Sequence, residues 1–274
     1  MGTHRKIEIM DTTLRDGEQT SGVSFLPSEK LQIAKLLLEE LKVDRIEVAS
    51  ARVSEGEMEG VKKITQWAAE KGYLDKVEVL AFVDTPASIN WMVEAGAKVM
   101  NLLTKGSLNH LTHQLKKTPE QHFEDIRACV KYARSKGITV NVYLEDWSNG
   151  MRNSMDYTMD LISFLNEIRV RRIMLPDTLG LLHPREVSHF VKLIKTEFPD
   201  CHFDFHAHND YDLSVANVLE AIYNGIAGIH TTVNGLGERA GNAPLESVIA
   251  VLKDFTDYRI GLKENKIYRV SKLV

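Results

Sequence analysis

The sequence has few cysteines and no long apolar run. Its two cysteines, Cys129 and Cys201, form no C-x-x-C pair, which argues against a disulfide framework and against a cysteine-based zinc site. No apolar stretch approaches the roughly 20 residues of a membrane-spanning helix, and the first residues lack the apolar segment of a secretory signal. We therefore expect a cytoplasmic protein with no membrane partner.

Neither sign of charge is in large excess. Lys and Arg total 34 against 38 Asp and Glu, a formal net charge of −4, so the basic surface typical of nucleic-acid binding is not expected. The 43% hydrophobic and 26% charged residues are typical of a globular protein, and no Pro-, Gly- or Ser-rich linker divides the chain. A single α/β barrel occupies about 250 residues, so we expect one domain over residues 1–274 and no nucleic-acid partner.

Short β-type runs alternate with longer amphipathic stretches. The alternation implies parallel strands with right-handed crossovers, and eight such units are the number in a closed barrel. The sequence therefore predicts the α/β class and a single (β/α)8 TIM barrel, with a doubly wound sheet as the alternative. The predicted strands cover residues 6–11, 44–50, 76–82, 97–104, 138–146, 171–177, 202–208 and 228–233. Helical spacing is seen in residues 28–41, 119–137, 154–168 and 184–198, with Ser28 as a cap and Pro184 as a first-turn proline.

Side chains within the predicted strands alternate between two faces. Val77, Val79 and Ala81 alternate with Glu78 and Leu80, and the strands at residues 138–146 and 202–208 alternate in the same way. We expect the aliphatic face to pack on the helices and the polar face to point into the barrel. Burying an unpaired polar group costs several kcal/mol, so the interior needs either a polar network or a ligand or metal at the barrel mouth.

Polar motifs follow the predicted strands at their C-terminal ends, where barrel active sites are built. The opposite ends carry nothing comparable. The motifs are DTTLRDGEQ (11–19), Ser50, Glu145 with Asp146, Asp177 with Thr178, HAHND (206–210) and NGLGERAGN (234–242).

Two histidines of the HAHND motif suggest a metal site. His206 and His208 are two residues apart on a strand, so both imidazoles face the same way. A carboxylate from the loop of strand 1, which we expect beside strand 7, would complete a set of two histidines and one carboxylate, and we choose Asp16. Such a set leaves positions open for substrate and water. The alternative is a pair of core histidines held by Asp204 or Asp210.

Further residues of the motifs could bind or react with a substrate. Arg15 can present a planar fork to a carboxylate, or it forms a surface salt bridge. Glu145 is a candidate acid or base, and Asp146 and Glu18 are the alternatives for this role. The glycines of residues 234–242 either offer backbone N–H groups to a ligand or form a tight turn.

Taken together, DTTLRDGEQ, HAHND and NGLGERAGN resemble the metal-dependent acyl-CoA Claisen-condensing barrels, namely the 2-isopropylmalate, homocitrate and citramalate synthases. The resemblance extends over essentially the whole chain, and residues 43–57 and 140–150 most resemble the bacterial citramalate synthase branch. It implies an acyltransferase of leucine or isoleucine biosynthesis that uses a divalent metal (zinc, magnesium or manganese), acetyl-CoA and a small 2-oxo acid. It also implies a homodimer.

The resemblance assigns a metal and a carboxylate site. Asp16, His206 and His208 would be metal ligands, with Asn242 as a further one. Arg15 and Thr178 would hold the carboxylate of the 2-oxo acid, and Arg15 would also stabilise the oxyanion formed from the ketone. Glu145 would take part in the condensation. A small pocket that favours pyruvate over 3-methyl-2-oxobutanoate would be lined by Leu80, Leu103 and Tyr143.

A lyase, a carboxyltransferase and a noncatalytic barrel compete with this assignment. Lyases of the hydroxymethylglutaryl-CoA type carry a catalytic cysteine in the glycine-rich loop, whereas residues 234–242 contain none. A pyruvate carboxyltransferase matches the motifs less well than the synthases do. A noncatalytic metal-binding barrel remains compatible with the histidine pair. Synthases of the family continue beyond the barrel with a linker subdomain and a regulatory domain, so the resemblance predicts weak turnover for a chain without them.

Overall fold

The computed structural model describes residues 6–274, and these residues form a closed parallel barrel. Each strand pairs with the next along the chain, and β8 pairs with β1, so the sheet has no edge. The single (β/α)8 barrel is confirmed and the doubly wound sheet is wrong. The first five residues of the predicted domain lie outside the described residues. The strands are β1 (Glu8–Asp11), β2 (Arg45–Ser50), β3 (Val77–Phe82), β4 (Val99–Lys105), β5 (Thr139–Glu145), β6 (Ile173–Asp177), β7 (Phe203–Ala207) and β8 (Gly228–Thr231).

Helices cover the outside of the barrel. Within residues 6–274, none has both the length and the apolar character needed to cross a bilayer. The helices are α1 (Pro27–Lys35), which continues as a π-helical segment (Leu36–Leu41), α2 (Glu55–Lys71), α3 (Ala87–Glu94), α4 (Leu108–His110), α5 (Pro119–Ser135), α6 (Trp147–Asn153), α7 (Met155–Glu167), α8 (Pro184–Glu197), α9 (Ser214–Tyr223), α10 (Leu245–Phe255) and α11 (Ile267–Leu273).

The helix starts test two details of the sequence prediction. Pro184 is the first residue of α8, as predicted. The prediction of Ser28 as a cap is wrong, because α1 begins one residue earlier, at Pro27. The carboxylate of Glu29 accepts a hydrogen bond from the Leu26 backbone N–H at 2.8 Å. Proline at the first position and a glutamate at the third start this helix without a hydroxyl cap.

The two faces of the strands separate as the alternation predicts. Val77, Val79 and Ala81 are fully buried in the layer between barrel and helices. Glu78 and Leu80 point into the barrel instead, where Leu80 belongs to a small apolar cluster. The members of this interior cluster are Met10, Leu80, Leu103, Tyr143 and Met174.

A polar network fills the end of the barrel opposite the strand C-termini, so the expectation that this end carries nothing comparable to the motifs is wrong. Arg45 donates to Glu78 at 3.1 Å and is also paired with Asp204. Asn141 donates to Glu78, and His230 contacts Asp204. We call these five residues the interior charge network. Each charge is paired within the protein, which is what burial of ionised groups requires.

Candidate active site

A cavity of about 350 Å³ opens at the C-terminal end of the barrel. Strand ends and the loops after them contribute its walls, as expected for a parallel barrel. The cavity contains nine of the ten residues that the sequence predicts for the site, and the tenth, Asn242, lies beside it. The lining residues are Arg15, Asp16, Gln19, Ser50, Val53, Leu80, Phe82, Leu103, Tyr143, Glu145, Pro176, Thr178, His206, His208 and Glu238.

Three buried side chains converge on one point of this cavity. The Asp16 Oδ2 atom lies 3.2 Å from His206 Nε2, and His206 Nε2 lies 3.3 Å from His208 Nε2. The three ligand atoms are all within 4.8 Å of one another. Asp204 and Asp210 do not hold the two histidines, since Asp204 contacts His230 and His202 while Asp210 pairs with Arg239.

Asp16 lies beside the histidines, but the position of its strand in the barrel differs from the prediction. Strand 1 is not next to strand 7, because β8 lies between them. Asp16 follows β1 by five residues and projects from the loop, just before the short helical turn Gly17–Gln19. Asn242 lies next to His208, because the backbones of the two residues form an isolated bridge.

The electrostatics of the site favour the protonation states that bind a cation. Burial opposes ionisation of Asp16, but Arg15 and the hydrogen bond from His206 hold the pKa of Asp16 well below its usual value. Burial, assisted by His206, lowers the pKa of His208 to about 4. At neutral pH Asp16 is therefore a carboxylate and His208 a neutral imidazole, the forms that coordinate metal ions.

Two buried oxygen atoms at the site show whether a divalent ion would fit there. Asp16 Oδ1 and Asn242 Oδ1 are buried and have no hydrogen-bond partner among residues 6–274. The Asn242 amide is oriented by its Nδ2 group, which donates to the Leu236 carbonyl at 3.0 Å. Buried polar atoms normally have a partner. Two imidazoles and two such oxygens form a donor set for a borderline or hard divalent cation, so these residues fit one.

Arg15 is fixed inside the barrel mouth and does not form a surface salt bridge. Its Nε donates to Glu47 at 2.5 Å, its Nη1 lies 3.1 Å from Asp16, and the guanidinium carbon lies 5.8 Å from the centre of the Tyr143 ring. Glu47 is completely buried and also accepts a hydrogen bond from Asn101 at 2.7 Å. The sequence reasoning missed Glu47. Its signal was a carboxylate on the inward-facing positions of the RIEVAS strand.

Of the three candidate acids or bases, Glu145 is the one that faces the cavity. It lies at the end of β5 and pairs with Lys105 from the end of β4. Asp146 is buried, and both its oxygens accept hydrogen bonds from neighbouring side chains. Glu18 pairs with the buried Lys30 at 2.6 Å. Neither Asp146 nor Glu18 is available to a substrate in the way that Glu145 is.

The hydroxyl of Thr178 is oriented to donate a hydrogen bond. Its Oγ1 accepts from the backbone N–H of Asp146 at 2.9 Å, which leaves the hydroxyl hydrogen for a ligand in the cavity. The Thr178 carbonyl accepts from Arg239 at 2.8 Å, and Arg239 also pairs with Asp210 at 2.7 Å. The loops after β6, β7 and β8 are thus tied together.

The glycine-rich loop at residues 234–242 is a tight turn. The N–H of Gly237 donates to Thr20 at 2.7 Å and that of Gly241 to the Glu238 carbonyl at 2.9 Å, so these groups already have protein partners. A Cβ at Gly237 would lie 2.2 Å from Asn242 Nδ2. The glycine therefore allows Asn242 to approach the histidines.

A known family profile matches the same residues that form the barrel. The HMGL-like family profile matches residues 6–274. The chain belongs to the HMGL-like family.

Curated relatives of this HMGL-like chain include three kinds of synthase. It is 38% identical over 269 residues to the (R)-citramalate synthase of Methanocaldococcus jannaschii, a match that covers 98% of this chain and 52% of the relative. It is 36% identical over 271 residues to the 2-isopropylmalate synthase of Sulfurisphaera tokodaii, and this match covers 98% of this chain and 68% of the relative. The homocitrate synthase of Sulfolobus acidocaldarius is 35% identical over 274 residues, covering 98% and 56%. The chain thus spans about half to two thirds of these relatives. The resemblance seen in the motifs is confirmed.

Solved structures resemble the HMGL-like chain in fold. The HMG-CoA lyase of Bacillus subtilis superposes with a TM-score of 0.84 at 21% identity, covering 99% of this chain and 93% of the lyase. The hydroxymethylglutaryl-CoA lyase of Pseudomonas aeruginosa also gives 0.84, at 19% identity, covering 100% and 93%. At such identities the likeness shows the shared barrel alone.

Proposed function

We propose that the HMGL-like chain is the catalytic barrel of a synthase that condenses acetyl-CoA with a small 2-oxo acid, with pyruvate as the preferred acid and citramalate as the product. The observation that carries this proposal is the cavity, where a guanidinium, a free hydroxyl, a carboxylate and a metal-ligand set face a small apolar wall. The names of the relatives, which are citramalate, 2-isopropylmalate and homocitrate synthases, support the same class of reaction.

The metal site in this proposal consists of Asp16, His206, His208 and Asn242. These nitrogen and oxygen donors suit zinc, magnesium or manganese. When bound, such an ion would act as a Lewis acid that polarises the ketone of the 2-oxo acid. The two buried oxygens without protein partners, Asp16 Oδ1 and Asn242 Oδ1, are the atoms that this assignment satisfies.

Arg15 and Thr178 bind the carboxylate of the 2-oxo acid. Glu47 holds the guanidinium through Nε, so the remaining N–H groups keep a fixed direction. The positive charge also lies in the wall where the ketone oxygen becomes an alkoxide during C–C bond formation. A preorganised cation at that place stabilises the developing charge without reorganisation.

Glu145 accepts a proton from the methyl group of acetyl-CoA. The electron pair of the broken C–H bond forms the new bond to the ketone carbon, and the resulting alkoxide is then protonated. Hydrolysis of the thioester by water releases the CoA thiol and makes the sequence irreversible. A Glu145→Gln substitution is expected to lower kcat by at least about 100-fold, with little change in bound metal.

The apolar wall supports pyruvate as the acid. Leu80 and Tyr143 are buried beside the cavity, and Leu103 packs against them. The methyl group of pyruvate needs less room than the branched side chain of 3-methyl-2-oxobutanoate. Hydrophobic pockets discriminate such differences by about 10- to 200-fold.

A thiol-release assay tests the proposal. Acetyl-CoA and a panel of 2-oxo acids are incubated with this chain, and with any longer product of the same gene, in the presence of each divalent metal. We expect CoA release to be fastest with pyruvate. No release from metal-loaded protein contradicts the condensation, and faster release with 3-methyl-2-oxobutanoate contradicts the choice of pyruvate.

The His206→Ala variant is the control for the metal. We expect its bound metal to fall sharply, as measured by elemental analysis after gel filtration, because one of two imidazoles is lost. Unchanged metal stoichiometry would reject the ligand assignment.

A further inference from the structure

We propose that His230, held by Asp204, is a positioning residue that fixes the Tyr143 ring in the cavity wall and thereby sets the selectivity for small 2-oxo acids. The inference rests on the proposed function for the identity of the ligand. The contact itself does not depend on that identity.

Three strands meet in this contact. Tyr143 lies on β5, and its hydroxyl oxygen is 3.0 Å from His230 Nδ1 on β8. His230 Nε2 is in turn 3.1 Å from Asp204 Oδ2 on β7. All three side chains are buried, with at most 2% of each residue exposed. The chain of hydrogen bonds therefore runs from the interior charge network to the cavity, away from bulk water.

The direction of each hydrogen bond follows from the groups at its ends. Asp204 is paired with Arg45 and also contacts His202 Nε2 at 2.9 Å, so its carboxylate acts as an acceptor. His230 must then carry its hydrogen on Nε2 and present the lone pair of Nδ1. Tyr143 donates its hydroxyl hydrogen to that lone pair. One tautomer satisfies every atom of the contact.

The surroundings of the Tyr143 ring make this anchor important. The ring belongs to the same apolar cluster as Met10 and Met174, whose flexible side chains adapt to a displaced neighbour and do not lock it. Its edge-on contacts with His206 and His230 have ring centres 6.1 Å and 5.5 Å apart. The hydroxyl hydrogen bond supplies the directional restraint that these contacts lack, so it keeps the ring in the cavity wall.

The backbone is shaped to admit the carboxylate that orients His230. A Cβ at Gly228 would lie 2.1 Å from Asp204 Oδ1. Only a glycine leaves room for Asp204 at this position of β8. The Asp204 contact with His230 is therefore built into the strand and does not depend on a mobile surface group.

Substitutions at both ends of the hydrogen bond test the proposal. His230→Phe keeps a ring without an acceptor, and Tyr143→Phe keeps the ring without a donor. In each we expect the ratio of kcat/KM for 3-methyl-2-oxobutanoate to that for pyruvate to rise about fivefold, the range of one buried hydrogen bond. The change should come mainly from a higher KM for pyruvate. The double variant should match the single ones, because both remove the same bond.

Two further variants separate positioning from general damage. His230→Gln retains an N–H donor and a carbonyl acceptor, so it should restore the ratio to near that of the wild type. His189→Phe changes an exposed histidine of α8 in the same way and should leave the ratio unchanged. An unchanged ratio in both His230→Phe and Tyr143→Phe overturns the proposal, as do additive effects in the double variant. The proposal is also overturned if the ratio changes in His230→Phe but not in Tyr143→Phe and the His230→Phe protein has lost bound metal.

Nitrogen-15 NMR of histidine-labelled protein tests the contact without any turnover. We expect His230 to be neutral with its proton on Nε2, and we expect its Nδ1 resonance to shift in Tyr143→Phe. A proton on Nδ1, or no shift, overturns the proposal. If the wild type condenses no 2-oxo acid, the proposed function fails by itself. The selectivity is then measured by calorimetry, as the relative affinity of wild type and Tyr143→Phe for the two acids, and equal ratios contradict the proposal.

Discussion

Gly228→Ala is expected to destabilise the barrel strongly although it adds a single methyl group. The new Cβ would lie 2.1 Å from Asp204 Oδ1 and 2.6 Å from its Cγ, far inside van der Waals contact. Asp204 is a short side chain held by Arg45, His202 and His230, so it has no free direction in which to move.

The size of the expected loss in stability depends on which atoms move to make room for the new methyl group. Overpacking of a well-packed core costs about 1–3 kcal/mol. If Asp204 is displaced instead, Arg45 loses a buried partner, and breaking a buried ion pair costs about 3–5 kcal/mol. We therefore expect a loss of about 3–4 kcal/mol in the free energy of unfolding, which corresponds to a fall of roughly 10 °C in Tm for a chain of this size.

Thermal and urea unfolding followed by circular dichroism measure this loss. The matched control is Gly56→Ala, because Gly56 lies on α2 and its nearest atom to a new Cβ is Ser54 Oγ at 3.7 Å. Alanine is favoured over glycine in a helix, so this control should gain about 0.5 kcal/mol. A loss below about 1 kcal/mol in Gly228→Ala would refute the rigidity of Asp204 and weaken the argument for His230.

Three further predictions concern other parts of the barrel. Burial, with help from the charges of Lys117 and Lys105, lowers the pKa of His122 to about 4. Since the unfolded histidine titrates near 6.5, this site loses about 2 kcal/mol of stability as the pH falls from 7 to 5. The urea midpoint of His122→Gln should therefore depend less on pH than that of the wild type. Identical pH profiles of the two proteins would contradict this prediction. Asn242→Ala should lower metal affinity about tenfold in a chelator competition without abolishing binding, and an unchanged affinity would remove Asn242 from the ligand set. Leu80→Ala should raise the kcat/KM ratio of 3-methyl-2-oxobutanoate to pyruvate about tenfold, and a lower ratio would show that Leu80 does not limit the pocket.

The strands and the grouping of the motifs could be predicted from the sequence because both follow from local rules. Alternation with period two marks the strands, and a parallel barrel brings all strand C-termini to one end. For this reason motifs as distant in sequence as Asp16 and His208 were expected at one site, and the structure brings them to within hydrogen-bonding distance of His206.

The partners of the buried charges could not be predicted in the same way. Glu47 and His230 are visible as polar residues on inward-facing positions, but which side chain each one meets depends on strand register across the barrel. The expectation that Asp16 projects from a strand next to His206 is wrong for the same reason, since the closure of the barrel inserts β8 between them. The error at Ser28 is local, because proline and glutamate at the start of α1 outcompete a hydroxyl cap.

The interior charge network has a consequence for protein engineering. Arg45, Glu78 and Asp204 neutralise one another, and none of the three lines the cavity. Residues at the barrel mouth can therefore be randomised without creating an unpaired ion at the bottom of the barrel, whereas a library that includes Arg45 or Asp204 is expected to consist mostly of misfolded protein. Directed evolution toward new acids should leave this lower layer untouched.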